Sequence, residues 1–317
     1  MQADSSWGQT RVTAETTLRA PLSGGVTRRH FCWLASSLIV SGGALPKVQT
    51  RPGPALWLAE KQNTRVYLFG QMPVRSETVW LTPEIEAAFN GSDLVWLENL
   101  DNSLISPEVM RAVAELQKQL TPPGDFTVLS VLDEPHRERL LAVLAAEGVS
   151  PASLNGRPIA YTRQLVTSIQ DRKSGADFTK IPEAIFRARA QAAGKPIFTE
   201  WRDLLELVRF ASDLPEVQKQ LVTMALDDLD RDYPAELSSW LSGALDIQIK
   251  TAEARSVRYP NLSLHVNTLR NQAMARRIVD VMNDYRQLFV CLGIGHFVGP
   301  SSVPAFLGEE GLAVRRV

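Results

Sequence analysis

"LFVCLGIGHFVGPSSVPAFLGEEGLAVRRV", residues 288–317, decides the fold of this chain. Its apolar opening, Leu288 to Leu292, reads as a short buried strand, and Gly293-Ile294-Gly295-His296 then turns the chain off the strand's end. "SVPAFLGEE" predicts a helix and "LAVRRV" a further short strand. The same order occurs much earlier. "VYLFGQMPV" (66–74) is an apolar run whose Gly70 aligns with Gly293, or in a second register with Gly295. In the first register, Pro73 stands where the later copy has His296. That earlier unit continues into "LTPEIEAAFNGS", which carries the marks of a helix start. Thr82 is placed to cap, Pro83 takes the first turn, and Glu84 and Glu86 complement the positive end of the helix dipole. Gly91 ends that helix, and "DLVWLEN" is a strand finishing at Glu98.

Two strand–loop–helix–strand units thus bracket a mostly helical middle. Within it, "PEVMRAVAELQKQL" spaces Val109, Val113, Leu116 and Leu120 as one helical face, and "PHRERLLAVLAAEG" does so with Leu140, Leu141 and Leu144 before Gly148. "IPEAIFRARAQAAGKPIFTEW" predicts a helix, a stop at Gly194 and a strand over Ile197–Thr199. "LPEVQKQLVTMALDDLD" is helical again, with Val217, Leu221, Met224 and Ala225 on one side. The expectation is a mixed, helix-rich α/β fold around a central sheet. If the two units pair in that sheet, their glycine loops meet at the carboxyl ends of the strands, where α/β folds place ligands.

The N-terminal stretch reads as a leader. "TRRHFCWLASSLIVSGGALP" sets Arg28-Arg29 and Phe31 before a moderately apolar run, in the order of a twin-arginine export signal. Gly42 and Ala44 supply small residues for cleavage after Ala44, and Val26 is a candidate start. The apolar run is interrupted by Ser and Gly and falls short of the ~20 residues a spanning helix needs. The expected organisation is a signal over 1–44, a Pro/Gly-punctuated linker over 45–54 and a single domain over 55–317. The expected location is periplasmic or otherwise exported, with membrane contact only through an uncleaved signal.

Composition excludes little but points away from nucleic acid. Of 317 residues, 34 are basic and 35 acidic, so no basic field gathers phosphates. Cys291, in the run "LFVCLG", is the sole cysteine beyond the leader and reads as a core thiol. No G-x-S-x-G, phosphate loop, H-E-x-x-H, CxxC pair or dinucleotide fingerprint is present.

Four residues carry the candidate chemistry. Glycines on both sides of the turn favour an imidazole at His296 that a ligand can reach. Glu98, a carboxylate at the end of a buried strand, is a candidate metal ligand or general base. Arg270 and Asn271 sit one turn before Met274, which with Ile278 and Val281 marks a buried helical face, so either can point at the sheet's end. Glu200 follows "PIFT" in the same way with weaker support; His136 reads as a helix-surface residue and His265 as ambiguous. Each has a plain structural reading as well: a packed histidine, a solvated loop acid, a surface helix pair.

Together these pieces resemble the TraB/PrgY/GumN family, whose animal relatives are the Tiki proteins. "PALWLAEKQNTRVYLFG", "LTPEIEAAFNGSDLVWLEN" and "GADFTKIPEAIFRARAQAAGKPIFTEW" are similar to its opening and middle; "LRNQAMARRI" and the C-terminal thirty residues carry the specific match. The resemblance implies a core related to the erythromycin-esterase/ChaN group. For the Tiki branch it implies a divalent-metal-dependent peptidase built on two Gly-x-x-His loops and a Glu. By position, His296 would be the second histidine, Glu98 the carboxylate, and Arg270 with Asn271 the polar helix pair. The first loop departs from this pattern, because Gly70-Gln71-Met72-Pro73 offers no lone pair or titratable proton at Pro73. Two readings follow: an exported metal-dependent hydrolase acting on a peptide or small molecule, or a catalytically silent relative that binds one. Heme or iron binding, suggested by the wider superfamily, is a weaker third.

Overall fold

A computed structural model describes residues 53–98, 111–112, 114–115, 124–177, 180–200 and 215–317. The leader over 1–44, most of the linker, and the helical face of Val109, Val113, Leu116 and Leu120 lie outside the described residues.

The chain opens with a hairpin. Strand β1 (Leu56–Lys61) pairs antiparallel with β2 (Thr64–Gln71), with Lys61 opposite Thr64 across the turn at Gln62-Asn63. Gln62 takes the positive φ of 53° that this two-residue turn requires. Helix α1 (Pro83–Asn90) is capped as the sequence predicts, the Thr82 hydroxyl accepting the Ile85 N–H. Strand β3 (Leu94–Leu97) follows and is buried at every position. The middle supplies α2 (Glu134–Ala146), α3 (Ile159–Ser174), α4 (Pro182–Ala192), strand β4 (Ile197–Thr199), α5 (Pro215–Asp227), α6 (Tyr233–Ser242) and α7 (Asp246–Arg258). A π-helical stretch, Ser263–Leu269, runs into α8 (Arg270–Val281); β5 (Gln287–Gly293), α9 (Val303–Glu309) and β6 (Ala313–Arg316) complete the chain.

The six strands form one mixed sheet in the order β4-β3-β5-β2-β1-β6. Strands β4, β3, β5 and β2 are parallel; β1 pairs antiparallel with β2, and β6 antiparallel with β1, on one side. Near-continuous apolar runs are what a parallel sheet covered on both faces demands. Leu288 to Leu292 are accordingly all buried. The predicted pairing of the two units is present: β2 and β5 are direct neighbours, with Gly70 opposite Leu292 and Gln71 opposite Gly293. The register is therefore one residue off the alignment that sets Gly70 on Gly293.

An aromatic cluster of Phe69, Trp80, Phe89, Phe186, Phe289 and Trp240 packs on the sheet, with the tightest pair, Phe186 and Phe289, 4.7 Å apart. Cys291 lies in the same core, and burial pushes its thiol well up, in keeping with an inert role. A second apolar cluster, including Leu140, Leu144, Val166, Val222 and Leu226, joins α2, α3 and α5. Leu141 is 37% exposed rather than part of the predicted face, since it sits on the solvent side of α2.

Candidate functional site at the strand ends

All four parallel strands deliver their carboxyl ends to one edge of the sheet. Glu98 follows β3, Glu200 follows β4, the loop of His296 follows β5, and Met72-Pro73 follow β2. The π-helical stretch feeds α8 so that its first two residues, Arg270 and Asn271, face this edge.

Arg270 organises the carboxylates. Its Nε and Nη2 both hold the Glu200 carboxylate in a two-pronged contact, and Nη2 also donates to Glu98 Oε1 at 3.1 Å. The other Glu98 oxygen accepts the Gly293 N–H at 2.8 Å. Asn271 serves the histidine: its Nδ2 donates to the Ser301 carbonyl at 2.7 Å, which leaves Oδ1 facing His296 Nδ1 at 2.6 Å. Because an amide oxygen only accepts, His296 Nδ1 carries a proton. His296 Nε2 then faces Glu98 Oε1 at 3.5 Å. The five side chains form one continuous polar network.

Electrostatics follow from this geometry. Burial pushes the Glu98 carboxyl up, but the neighbouring His296, then Arg270 and the Gly293 N–H, more than reverse it and hold Glu98 well below the usual carboxylate range. Burial works against the charge on Arg270, yet Glu200 and Glu98 outweigh it and raise its affinity for its proton.

Two sequence expectations need correction. His296 is 7% exposed and bonded within the network, so the flanking glycines do not leave it open to a ligand. The reason is the 3₁₀ turn Ile294–His296, which folds the imidazole back over the sheet end towards Asn271. His136 is not a plain surface residue: its ring lies between Asp133 at 2.5 Å and Asp227 at 3.5 Å. Glu200, weakly signalled by sequence, is a full member of the network. Its neighbour in the pairing of β3 with β4 was invisible to local pattern.

The network does not fit a resident divalent metal as it stands. Both Glu200 oxygens and one Glu98 oxygen are held by a guanidinium, the other by a backbone N–H, and His296 Nδ1 by an amide. Pro73 supplies no ligand, and His265, in the π-helical stretch, makes no hydrogen bond or ion pair with Glu98 or His296. Among the described residues no group of three or more His, Cys, Asp or Glu side chains is arranged to hold a metal ion.

Beside the network, a cleft of about 470 Å³ opens over the ends of β2 and β5, its wall including Met72, Pro73, Gly293 and Gly295. The first loop is pinned there. Trp240 Nε1 donates to the Gly70 carbonyl at 2.7 Å, and the Tyr233 hydroxyl to the Pro73 carbonyl at 2.7 Å. Gly70 has no room for a side chain, since a Cβ would lie 2.4 Å from Ile294 Cδ1 and 3.2 Å from Ile294 Cα. At Gly295 a Cβ meets nothing within 4 Å. Of the charged groups on the cleft wall, Asp228 and Glu236 are paired with Arg255 and Arg231. Asp171 is not, and burial lifts its carboxyl to about 6.

Comparison with known proteins agrees on one point. The family model described as the TraB/PrgY/gumN family matches residues 55–316. No curated protein and no solved structure matches the chain. Among the described residues, no helix is long and apolar enough to cross a membrane.

Proposed function

The chain belongs to the TraB/PrgY/gumN family, and on that footing we propose that it is a binding member of the family. Its ligand, a peptide or small molecule, occupies the strand-end cleft, and the Glu98–Arg270–Glu200–Asn271–His296 network braces the cleft floor rather than turning over substrate. The observation that carries this reading is Arg270 seated between two carboxylates, opposite a first loop with Pro73 at its fourth position. The guanidinium neutralises the acids that a hydrolase would need as metal ligands or bases. Meanwhile, the cleft volume falls within the ~300–1,000 Å³ of ordinary small-molecule sites. The Arg28-Arg29 leader supports the further proposal that the mature chain works outside the cytoplasm.

One observation favours the metal-dependent hydrolase instead: Glu98 and His296 converge to 3.5 Å at the strand ends. The two readings part in one experiment. Purified protein is loaded with Mn²⁺ or Zn²⁺, dialysed, analysed for metal and incubated with a mixed peptide pool read by mass spectrometry. Wild type and Gly295→Trp, which fills the cleft, are compared. The binding reading expects no stoichiometric metal, no cleavage, and pool components retained by wild type but not by Gly295→Trp. One equivalent of metal that is lost in His296→Ala, together with peptide cleavage, would establish the hydrolase. A tagged leader fusion recovered wholly in the cytoplasm would end the export proposal.

A further inference from the structure

Arg163, on the first turns of α3, differs from five other partly buried arginines. Arg187, Arg189, Arg231, Arg255 and Arg270 each hold a carboxylate, on Glu183, Glu86, Glu236, Asp228 and Glu200 respectively. Arg163 Nε is buried with no hydrogen-bond partner, and among the described residues its guanidinium makes no ion pair. Its nearest charge effect is repulsive. Burial first, and then the like charge of Arg270, weaken its hold on its proton. An unpaired guanidinium beside a second guanidinium is disfavoured on both counts, desolvation and repulsion. Arg270 cannot relieve it, because a guanidinium only donates and carries the same charge.

Its position gives the unpaired Nε a meaning. Arg163 lies near enough to Arg270, which stands at the carboxyl edge of the sheet, for their like charges to act on one another. The cleft lies on the β2 and β5 side, and Arg163 is not part of its wall. A planar fork of donors whose Nε needs a partner matches a two-oxygen acceptor.

We propose that Arg163 is an anion-binding residue, whose guanidinium receives an oxyanion, a carboxylate or phosphate group, at the carboxyl edge of the sheet. This goes beyond the binding role of the cleft and does not depend on it. A ligand carrying such a group would span from the edge towards the cleft; a free anion would occupy Arg163 alone.

Thermal unfolding of the full-length protein tests this with inorganic phosphate and with succinate as probes, each against sodium chloride of equal ionic strength. Wild type should gain about 2–4 °C at concentrations several-fold above the dissociation constant. Arg163→Gln and Arg163→Met should gain less than about 1 °C and, without anion, should melt no lower than wild type, because they remove an unpaired charge. A response to phosphate alone assigns a phosphoryl group, and to succinate alone a carboxylate. Equal responses in wild type and both variants, or none in any, would overturn the proposal. So would variants that melt well below wild type or do not fold, since Arg163 would then have a structural partner. Gly295→Trp keeps the two ideas separable: it should lose pool retention yet keep the anion response.

Discussion

Asn271 holds a proton on His296 Nδ1. Its Nδ2 is committed to the Ser301 carbonyl and its Oδ1 lies 2.6 Å from His296 Nδ1, so that proton is set by a residue on another element. Asn271→Leu would leave the buried Nδ1–H and the Ser301 carbonyl without partners. Loss of about 1–3 kcal/mol in urea unfolding is expected. Nitrogen-15 spectra of the ring should show Nδ1 protonated in wild type and a shifted Nδ1 resonance in the variant; an unchanged spectrum would refute the assignment.

Arg270 is the charge on which two buried acids depend. Arg270→Ala strands Glu98 and Glu200 together and should cost about 3–5 kcal/mol. Adding Glu200→Gln to it should restore part of that loss, because one of the stranded charges is gone. A double variant no more stable than Arg270→Ala would show that Glu200 does not depend on Arg270.

Acid stability should carry the signature of Glu98. Its folded carboxyl titrates below its unfolded value of 4.5, so its contribution is present above that pH and is lost as pH falls further. Denaturant midpoints measured from pH 6 to pH 2.5 should fall more gently in Glu98→Gln than in wild type. Parallel curves would contradict the network's charge assignment.

Asp171 should act with the opposite sign. Its folded value of about 6 stands above its ordinary 3.8, so the folded state binds the proton more tightly, and stability declines as pH rises between those values. Asp171→Asn should remove that decline while leaving the region below pH 4 unchanged. Because the side chain is only partly buried, the effect is modest, and a midpoint series in half-unit pH steps is the suitable measurement.

The two loop glycines should separate cleanly. Gly70→Ala drives a methyl into Ile294 and Phe297 and should cost about 1–3 kcal/mol. Gly295→Ala meets open space and should be near neutral in the same assay. Equal costs would mean that the two loops are not packed as described.

Much of the fold was legible locally. Thr82-Pro83 and Gly91 bound the first helix because capping and dipole effects act within one turn. The run Leu288–Leu292 reads as a buried strand because a parallel strand must be apolar on both faces. Strand β1 was harder. Its turn, Gln62-Asn63, lacks the glycine that signals a hairpin, and the strain at Gln62 is supported by pairing on both sides.

Local pattern carries the frame: two strand–loop–helix–strand units, a helical middle, and Glu98, Arg270, Asn271 and His296 as residues to watch. What those residues do to one another comes from the folded arrangement. Glu200 enters the site because β4 lies beside β3, and His296 turns inward because Asn271, itself held by the Ser301 carbonyl, offers it a partner. Arg163 lacks a counter-charge that no local pattern could have shown missing. Hydrogen bonds and ion pairs between distant elements depend on distances that chain order does not encode. The types of residue at the sheet's edge were therefore readable in one dimension, and their pairing was not.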